Sequence, residues 1–429
     1  MLHLSNELLL EIVEALESDA DINAFAQSNR RLYNLANTYL YRHNVQECQS
    51  SGIRGAAQRG QITAVERLLN KGANVHARSD DGRDYDAMFL ASKNGHQDVV
   101  ELLLLRGAKV DDGPVFEPYE DSTTGRCHWR STRKWGNALH TAARNRHEGI
   151  VKLLLVKGAD PNSDNGSWGD PIGAAAYGGS EAIIQLLIDH GAKVTTYTGH
   201  YGKALQAAAD KGHVGAAKVL LDNGAEINFD ARQYGNPIQP AASNGHEAMV
   251  RFLIDNGANI NMESMFYGNA LQAASTSGHE AIVKLLLEKG ADIKLGYPLR
   301  AASHGGHKAI VNILLDNDAD INASGGYYGT ALQAAAQEGH EDILNLLLSK
   351  GADVNICGGF FGNAYQAAVE RCHGTIAELL LEQGATVNPF EGSFCKPHIC
   401  VRRGCEVCYP CAPQRDPSRT GDWRFWRYD

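Results

Sequence analysis

The chain has 429 residues, a formal net charge of −10 and nine cysteines. That acidic balance argues against nonspecific nucleic-acid binding, which needs a basic face. No run of about 18 apolar residues offers a helical membrane span. Five of the cysteines crowd into the last 35 residues instead of spreading as a disulfide framework, which points to a reducing compartment, cytoplasmic or nuclear.

The first 48 residues differ in texture from the rest. Apolar positions 4, 8, 9, 12, 13 and 16 fall on one helical face. Ser5 or Asn6 can cap its start. Glu7, Glu11, Glu14 and Glu17 break the apolar run, and no basic stretch precedes it, so the segment does not read as a signal peptide. Asp19-Ala-Asp21 opens a second helical stretch, and Asn29-Arg-Arg-Leu-Tyr begins a third. Three short helices bury too little surface to be comfortable alone, so one reading makes them a cap on the longer region after residue 48. The residues also carry a resemblance. Leu4-Ser-x-Glu-Leu-Leu-x-Glu-Ile, Leu16, Asp21-Ile, Phe25, Asn29-Arg-Arg-Leu-Tyr, Leu35 and Tyr39-Leu-Tyr resemble an F-box, in the form that precedes ankyrin repeats in filamentous fungi. Ser5 departs from the proline usual after the leading leucine. The resemblance implies docking to the Skp adaptor, and through it to a cullin, by Leu4, Leu8, Leu9, Ile12 and Leu16, with Ile22 and Leu32 behind them.

From Ile53 to about residue 388 the sequence repeats. Helix-ending Gly-Ala pairs start at Gly72, Gly107, Gly158, Gly191, Gly224, Gly257, Gly290, Gly351 and Gly384, with Asp318-Ala319 in one copy. Most intervals are 33 residues, and ten units are expected. In Ala270-Leu-Gln-Ala-Ala-Ser, small residues let a first helix lie close to its neighbours. In Glu280-Ala-Ile-Val-Lys-Leu-Leu-Leu-Glu, Ile282, Val283, Leu285 and Leu286 face inward while Lys284 and Glu288 face out. Gly290 is placed to end that helix left-handed. Histidines at 96, 213, 246, 279, 307 and 340 each follow a glycine at the corner between helices. Their recurrence at one repeat position marks them as structural. The series resembles ankyrin repeats, which implies an all-α fold: a three-helix F-box at 1–48, then a solenoid at 53–388 with short β-hairpin fingers.

Two intervals are irregular. The 51-residue one carries an insertion at about 111–134, acidic first and then basic, which could contact a partner or be a solvated loop. The 28-residue one shortens the finger at Lys294-Leu-Gly-Tyr-Pro298, and Arg300 stands where Gln206, Gln239, Gln272, Gln333 and Gln366 stand elsewhere. Aromatics recur before a glycine: Trp135, Trp168, Tyr201, Tyr234, Tyr267, Tyr328 and Phe361. They suit either partner anchors or packing at finger bases. Candidate target contacts are therefore Tyr201, Tyr234, Phe266, Tyr267, Arg300, Tyr328 and Phe361. Variable stretches near the finger tips, such as 229–233, and the first-helix ends Asp210-Lys211, Asn244, Thr276, His304, Glu338 and Arg371 are further candidates.

The tail at 389–429 is Cys-rich and reads as irregular. Cys405 and Cys408 have zinc-knuckle spacing, and Cys395, His398, Cys400 or Cys411 could complete a site. Six candidates cannot supply the eight ligands of a RING, and an oxidisable tail folding back through its aromatics is the alternative. No phosphate-binding glycine loop, no H-E-x-x-H and no nucleophile–base pattern is present, so neither catalysis nor a cofactor is expected. The resulting expectation is a substrate receptor of a Skp-cullin-F-box ubiquitin ligase. The alternative is an ankyrin scaffold whose first helices only cap the array.

Overall fold

The computed structural model describes residues 51–78, 85–111, 136–163, 170–195, 203–229, 236–264, 267–325 and 329–386, and the backbone of 117–120 and 127–130. The expected F-box with Leu4, Leu8, Leu9, Ile12 and Leu16 lies outside the described residues, as does the tail with its cysteines. The chain divides into two compact bodies, Met1–Ala270 and Leu271–Asp429.

In the first body the helices come in pairs: α1 (Ser51–Gln58) with α2 (Ile62–Asn70), α3 (Ala87–Asn94) with α4 (Gln97–Leu105), and α5 (Ala138–Arg144) with α6 (Glu148–Val156). Then come α7 (Pro171–Gly178) with α8 (Glu181–Asp189), α9 (Ala204–Asp210) with α10 (Val214–Asp222), and α11 (Ile238–Ser243) with α12 (Glu247–Asp255). First helices pack on first helices and second on second, giving two layers. The second body holds α13 (Ala270–Ser277, entered from the last residue of the first body), α14 (Glu280–Glu288), α15 (Pro298–Gly305), α16 (Lys308–Asp316), α17 (Ala331–Glu338), α18 (Glu341–Ser349), α19 (Ala364–Glu370) and α20 (Gly374–Glu382). Its helices layer in the same way.

The local chemistry explains this regularity. First helices are alanine-rich because their backbones approach closely: Ala334, Ala335 and Ala336 of α17 have no exposed surface. Side chains cap their starts. Asp86 accepts from the Phe89 N–H at 2.7 Å and Asp170 from Gly173 at 2.9 Å, satisfying donors that a helix start leaves open. Second helices carry the aliphatic load. Ile282, Val283, Leu285 and Leu286 of α14 are buried as expected, each leucine worth roughly 1.5–3 kcal/mol. Lys284 remains outside and pairs with Glu280 at 2.6 Å.

Every second helix ends on a residue in the left-handed region, from Gly72 (φ 89°) to Gly384 (φ 84°), with Asp318 at φ 62° in the one copy without glycine. The corner histidines lock units together. Nε2–H of His246 donates to the Asp210 carbonyl at 2.9 Å, and that of His340 to the His304 carbonyl at 3.1 Å.

The fingers differ from expectation. In place of β-hairpins, the described finger residues form single bridges, Ser264 with Gly268, Gly325 with Gly329 and Gly358 with Gly362. The ladder stops because the first helix begins two residues past each bridge, at Ala270, Ala331 and Ala364, and the preceding unit bonds the finger carbonyls as well. Gly362 O accepts from the Gly358 N–H and also, at 2.7 Å, from Gln333 Nε2. Gln239 does the same to Met262 O (2.6 Å) and Gly268 O (2.7 Å). Paired strands occur instead within the insertion, where β1 (Glu117–Glu120) runs antiparallel to β2 (Cys127–Arg130) with Glu117 opposite Arg130.

Candidate functional site

The exposed ends of the first helices and the finger bases form the surface on which side chains vary from unit to unit. In the first body, three successive first helices end in Arg144, Tyr177 and Asp210-Lys211. The Arg144 guanidinium lies 4.9 Å and the Lys211 ammonium 4.7 Å from the centroid of the Tyr177 ring, distances at which the ring quadrupole attracts a cation. Gly178 makes this possible, since a Cβ there would stand 2.4 Å from the Arg144 carbonyl oxygen. Lys211 also pairs with Asp210 at 3.0 Å, and Asn244 Nδ2 donates to Asp210 Oδ1 at 3.0 Å. Burial works to lower the lysine's pKa, but Asp210 and the Tyr177 hydroxyl together hold it above the usual lysine value. His213 beside it is held below the usual histidine range by burial, with Arg146, His246 and Lys211 adding to the effect.

The second body builds a different surface. The Tyr297 backbone is left-handed at φ 54°, and its ring lies under the Arg300 guanidinium at 4.5 Å. Arg300 reaches the Gly325 carbonyl of the next finger, doing with one donor what glutamine does elsewhere with its amide. One turn along α15, His304 stands 3.4 Å from Glu338. Burial lowers the histidine's pKa, and His340, Arg371 and Arg300 add to that against the opposing pull of Glu338. Arg371 lies 5.6 Å from the Phe361 ring, which meets Phe360 edge-on at 5.0 Å. Phe360 is 55% exposed.

Of the predicted target contacts, Tyr201, Tyr234, Phe266 and Tyr328 lie outside the described residues. Tyr267 is half-buried at a finger base in the first body, its N–H donating to Ser264 Oγ at 3.2 Å. Arg300 and Phe361 are half-buried in the second body. Phe229, expected near a finger tip, is instead buried beneath Lys203 at 4.5 Å, and Lys203 pairs with Glu226 at 2.6 Å. Among the first-helix ends, Asn244, Thr276, Glu338 and Arg371 are exposed, while Asp210, Lys211 and His304 are half-buried. Asp210-Lys211 is visible in the sequence as a candidate contact, but Arg144, Tyr177, Tyr297 and Phe360 are not. The Tyr177 cluster depends on residues a whole unit apart, and its one signal is a variable column at a single helix position.

The surface offers cations, aromatic rings and a few carboxylates for recognition. Among the described residues there is no cluster of three or more metal-ligating side chains, and no helix is long and apolar enough to cross a membrane.

The repeat geometry agrees with the family comparison. The family described as ankyrin repeats (3 copies) matches residues 22–114, 139–231, 205–297 and 299–391, and the chain belongs to it. The first matched segment begins inside the block expected as an F-box. Among characterised relatives, the mitochondrial disaggregase of Bos taurus is 30% identical over 135 residues, 27% of this chain and 20% of that protein. The ankyrin repeat and KH domain-containing protein mask-1 of Caenorhabditis elegans is 30% identical over 116 residues, 27% of this chain and 4% of that protein. The chain thus spans a fifth or less of these relatives' lengths. A crystal structure of the human ASB11 ankyrin repeat domain is similar at TM-score 0.45 and 29% identity, over 49% of this chain and 96% of that one.

Proposed function

We propose that this protein is a substrate receptor of a Skp-cullin-F-box ubiquitin ligase. Ankyrin arrays are protein-binding scaffolds, and the repeated helix pairs supply such a scaffold here. The observation that carries the finer reading is the F-box-like sequence ahead of the array. Leu4, Leu8, Leu9, Ile12 and Leu16 dock the Skp adaptor, and the array holds a target protein within reach of a ubiquitin-carrying enzyme. The rate gain then comes from proximity, with the chemistry performed by other subunits and none assigned to this chain. The site of action is cytoplasmic or nuclear.

A second reading is favoured by the ankyrin match that starts at residue 22. In it, the early helices belong to the array and the protein is a scaffold unconnected with ubiquitin. Coprecipitation separates the two. The wild-type chain is expected to recover adaptor and cullin, and a Leu8→Asp/Ile12→Asp chain to recover neither while its helical circular dichroism persists. Failure of the wild type to recover either selects the scaffold.

A further inference from the structure

At the corner after each first helix the backbone turns left-handed, and glycine holds the position in most units: Gly95 at φ 80°, Gly179 at 76°, Gly212 at 70° and Gly339 at 81° among them. Glycine is needed there for a second reason. A Cβ on Gly95 would stand 2.6 Å from the His147 ring of the next unit, one on Gly179 2.5 Å from His213, and one on Gly339 2.7 Å from His373. The glycine of one unit and the histidine of the next therefore form one lock.

Two non-glycine residues occupy this corner, and neither faces a histidine of a described following unit. Cys372, at φ 62°, sits in the last described helix pair. Arg146, at φ 65°, sits in the middle of the first body, and the position facing it, elsewhere histidine, is Ser180. Ser180 caps α8 weakly, accepting from the Ile183 N–H at 3.4 Å. Here the array gives up both the relaxed backbone and the histidine bond to set an arginine on its surface. Strain of this kind persists where something other than stability retains it.

The neighbours supply the purpose. Arg146 is exposed beside the half-buried Arg144, Tyr177 and Lys211, and Lys93 is exposed one unit earlier at the position that Arg144 holds in its own unit. Among the described residues, Asp210 is the carboxylate beside these cations, already engaged by Lys211 and Asn244. Glu148 and Glu181 open second helices and stand in the other layer, where Glu181 lies over Gly215 of α10. The result is a basic edge on a chain of net charge −10.

We propose that Lys93, Arg144, Arg146 and Lys211 form a docking edge for an acidic segment of a partner protein, with Tyr177 as the positioning residue that holds two of the cations. This deepens the protein-binding reading above and rests on it. A flexible acidic segment matches such an edge because each carboxylate gains a charge-assisted contact, while the molecule's overall negative charge repels long polyanions such as nucleic acid.

The test uses the full chain and a fluorescent polyglutamate peptide of about ten residues, followed by anisotropy at about 50 mM and about 300 mM salt. The wild type is expected to bind, more weakly at high salt. Arg144→Ala/Lys211→Ala should weaken binding about tenfold, as expected for two partly exposed charge pairs. Tyr177→Ala should weaken it as well, and Tyr177→Phe, which keeps the ring beside both cations but loses the hydroxyl contact to Lys211, should recover most of it. The diagnostic variant is Arg146→Gly/Ser180→His, which rebuilds the lock: its melting temperature should rise while its peptide affinity falls about threefold. A merely structural role for Arg146 leaves affinity unmoved. The inference is overturned if the wild type ignores the peptide, if these variants bind it as the wild type does, or if oligothymidylate binds as well as polyglutamate. Should the variants still capture the same partner proteins as the wild type, the protein-binding reading stands and only this edge is lost. Capture of no protein by any form removes both.

Discussion

Gln333 offers the sharpest test of how neighbouring units are coupled. It is 4% exposed at the start of α17. Its Oε1 accepts from the Thr330 N–H at 2.7 Å, and its Nε2 donates to Ile356 O at 2.8 Å and Gly362 O at 2.7 Å. The first bond fixes its own helix start, and the other two tie α17 to the finger of the next unit. In Gln333→Ala all three are lost. At about 0.5–1.5 kcal/mol each, with an added penalty for stranded groups, the cost should be about 2–4 kcal/mol. In a stack where each unit touches only its neighbours, that loss falls on the interface with the last described pair, α19 and α20. Hydrogen exchange reads it directly: α20 amides should exchange roughly 30- to 700-fold faster, since each 1.4 kcal/mol is about tenfold. Gln333→Glu should be no better, because it turns an acceptor toward two carbonyls. A rise of less than about threefold in α20 would refute cross-unit coupling through this side chain.

Backbone conformation and charge supply the remaining predictions. A Cβ at Gly290 would meet nothing within 4 Å, so Gly290→Ala isolates the conformational cost of φ 87°; chemical denaturation should show a loss of about 1 kcal/mol. Asp318→Gly should do the reverse, gaining about 0.5–1 kcal/mol, and a loss would show that the aspartate side chain contributes something the backbone argument omits. His304 and His213 are held below their ordinary value of 6.5 by burial. The unfolded chain then binds the proton more readily, so their contribution is present above about pH 6.5 and is lost as pH falls through it. Urea midpoints should therefore drop between about pH 7.5 and about pH 5.5, and His304→Gln should flatten the decline; an unchanged slope would discount His304.

Much of this fold is legible in the sequence because its determinants are local. The period, the glycine stops, the inward faces of helices such as α14 and the structural role of the corner histidines all come from spacings within a single unit. The finger geometry is not legible, because the sequence does not show that the first helix starts two residues after each bridge, at Ala270, Ala331 and Ala364, or that Gln239, Arg300 and Gln333 of preceding units claim finger carbonyls. Phe229 reads as a finger-tip residue until Lys203 and the stack bury it. The Tyr177 cluster joins residues from three units, so no one repeat displays it. Arg300 is visible as an exception, but its reach to Gly325 and its stacking on Tyr297 need the shortened finger in three dimensions. The exchange of a Gly-His lock for Arg146 and Ser180 is present in the sequence as two unrelated-looking departures. Only their facing positions make them one event.

The receptor reading turns on residues 1–48, and the most direct measurement is calorimetric titration of the purified full chain with purified Skp adaptor. The wild-type chain should bind one equivalent of adaptor with a dissociation constant of about 1 μM or tighter, near −8 kcal/mol, and Leu8→Asp/Ile12→Asp should give no detectable heat. Absence of binding by the wild-type chain, or equal binding by the variant, would contradict the receptor reading.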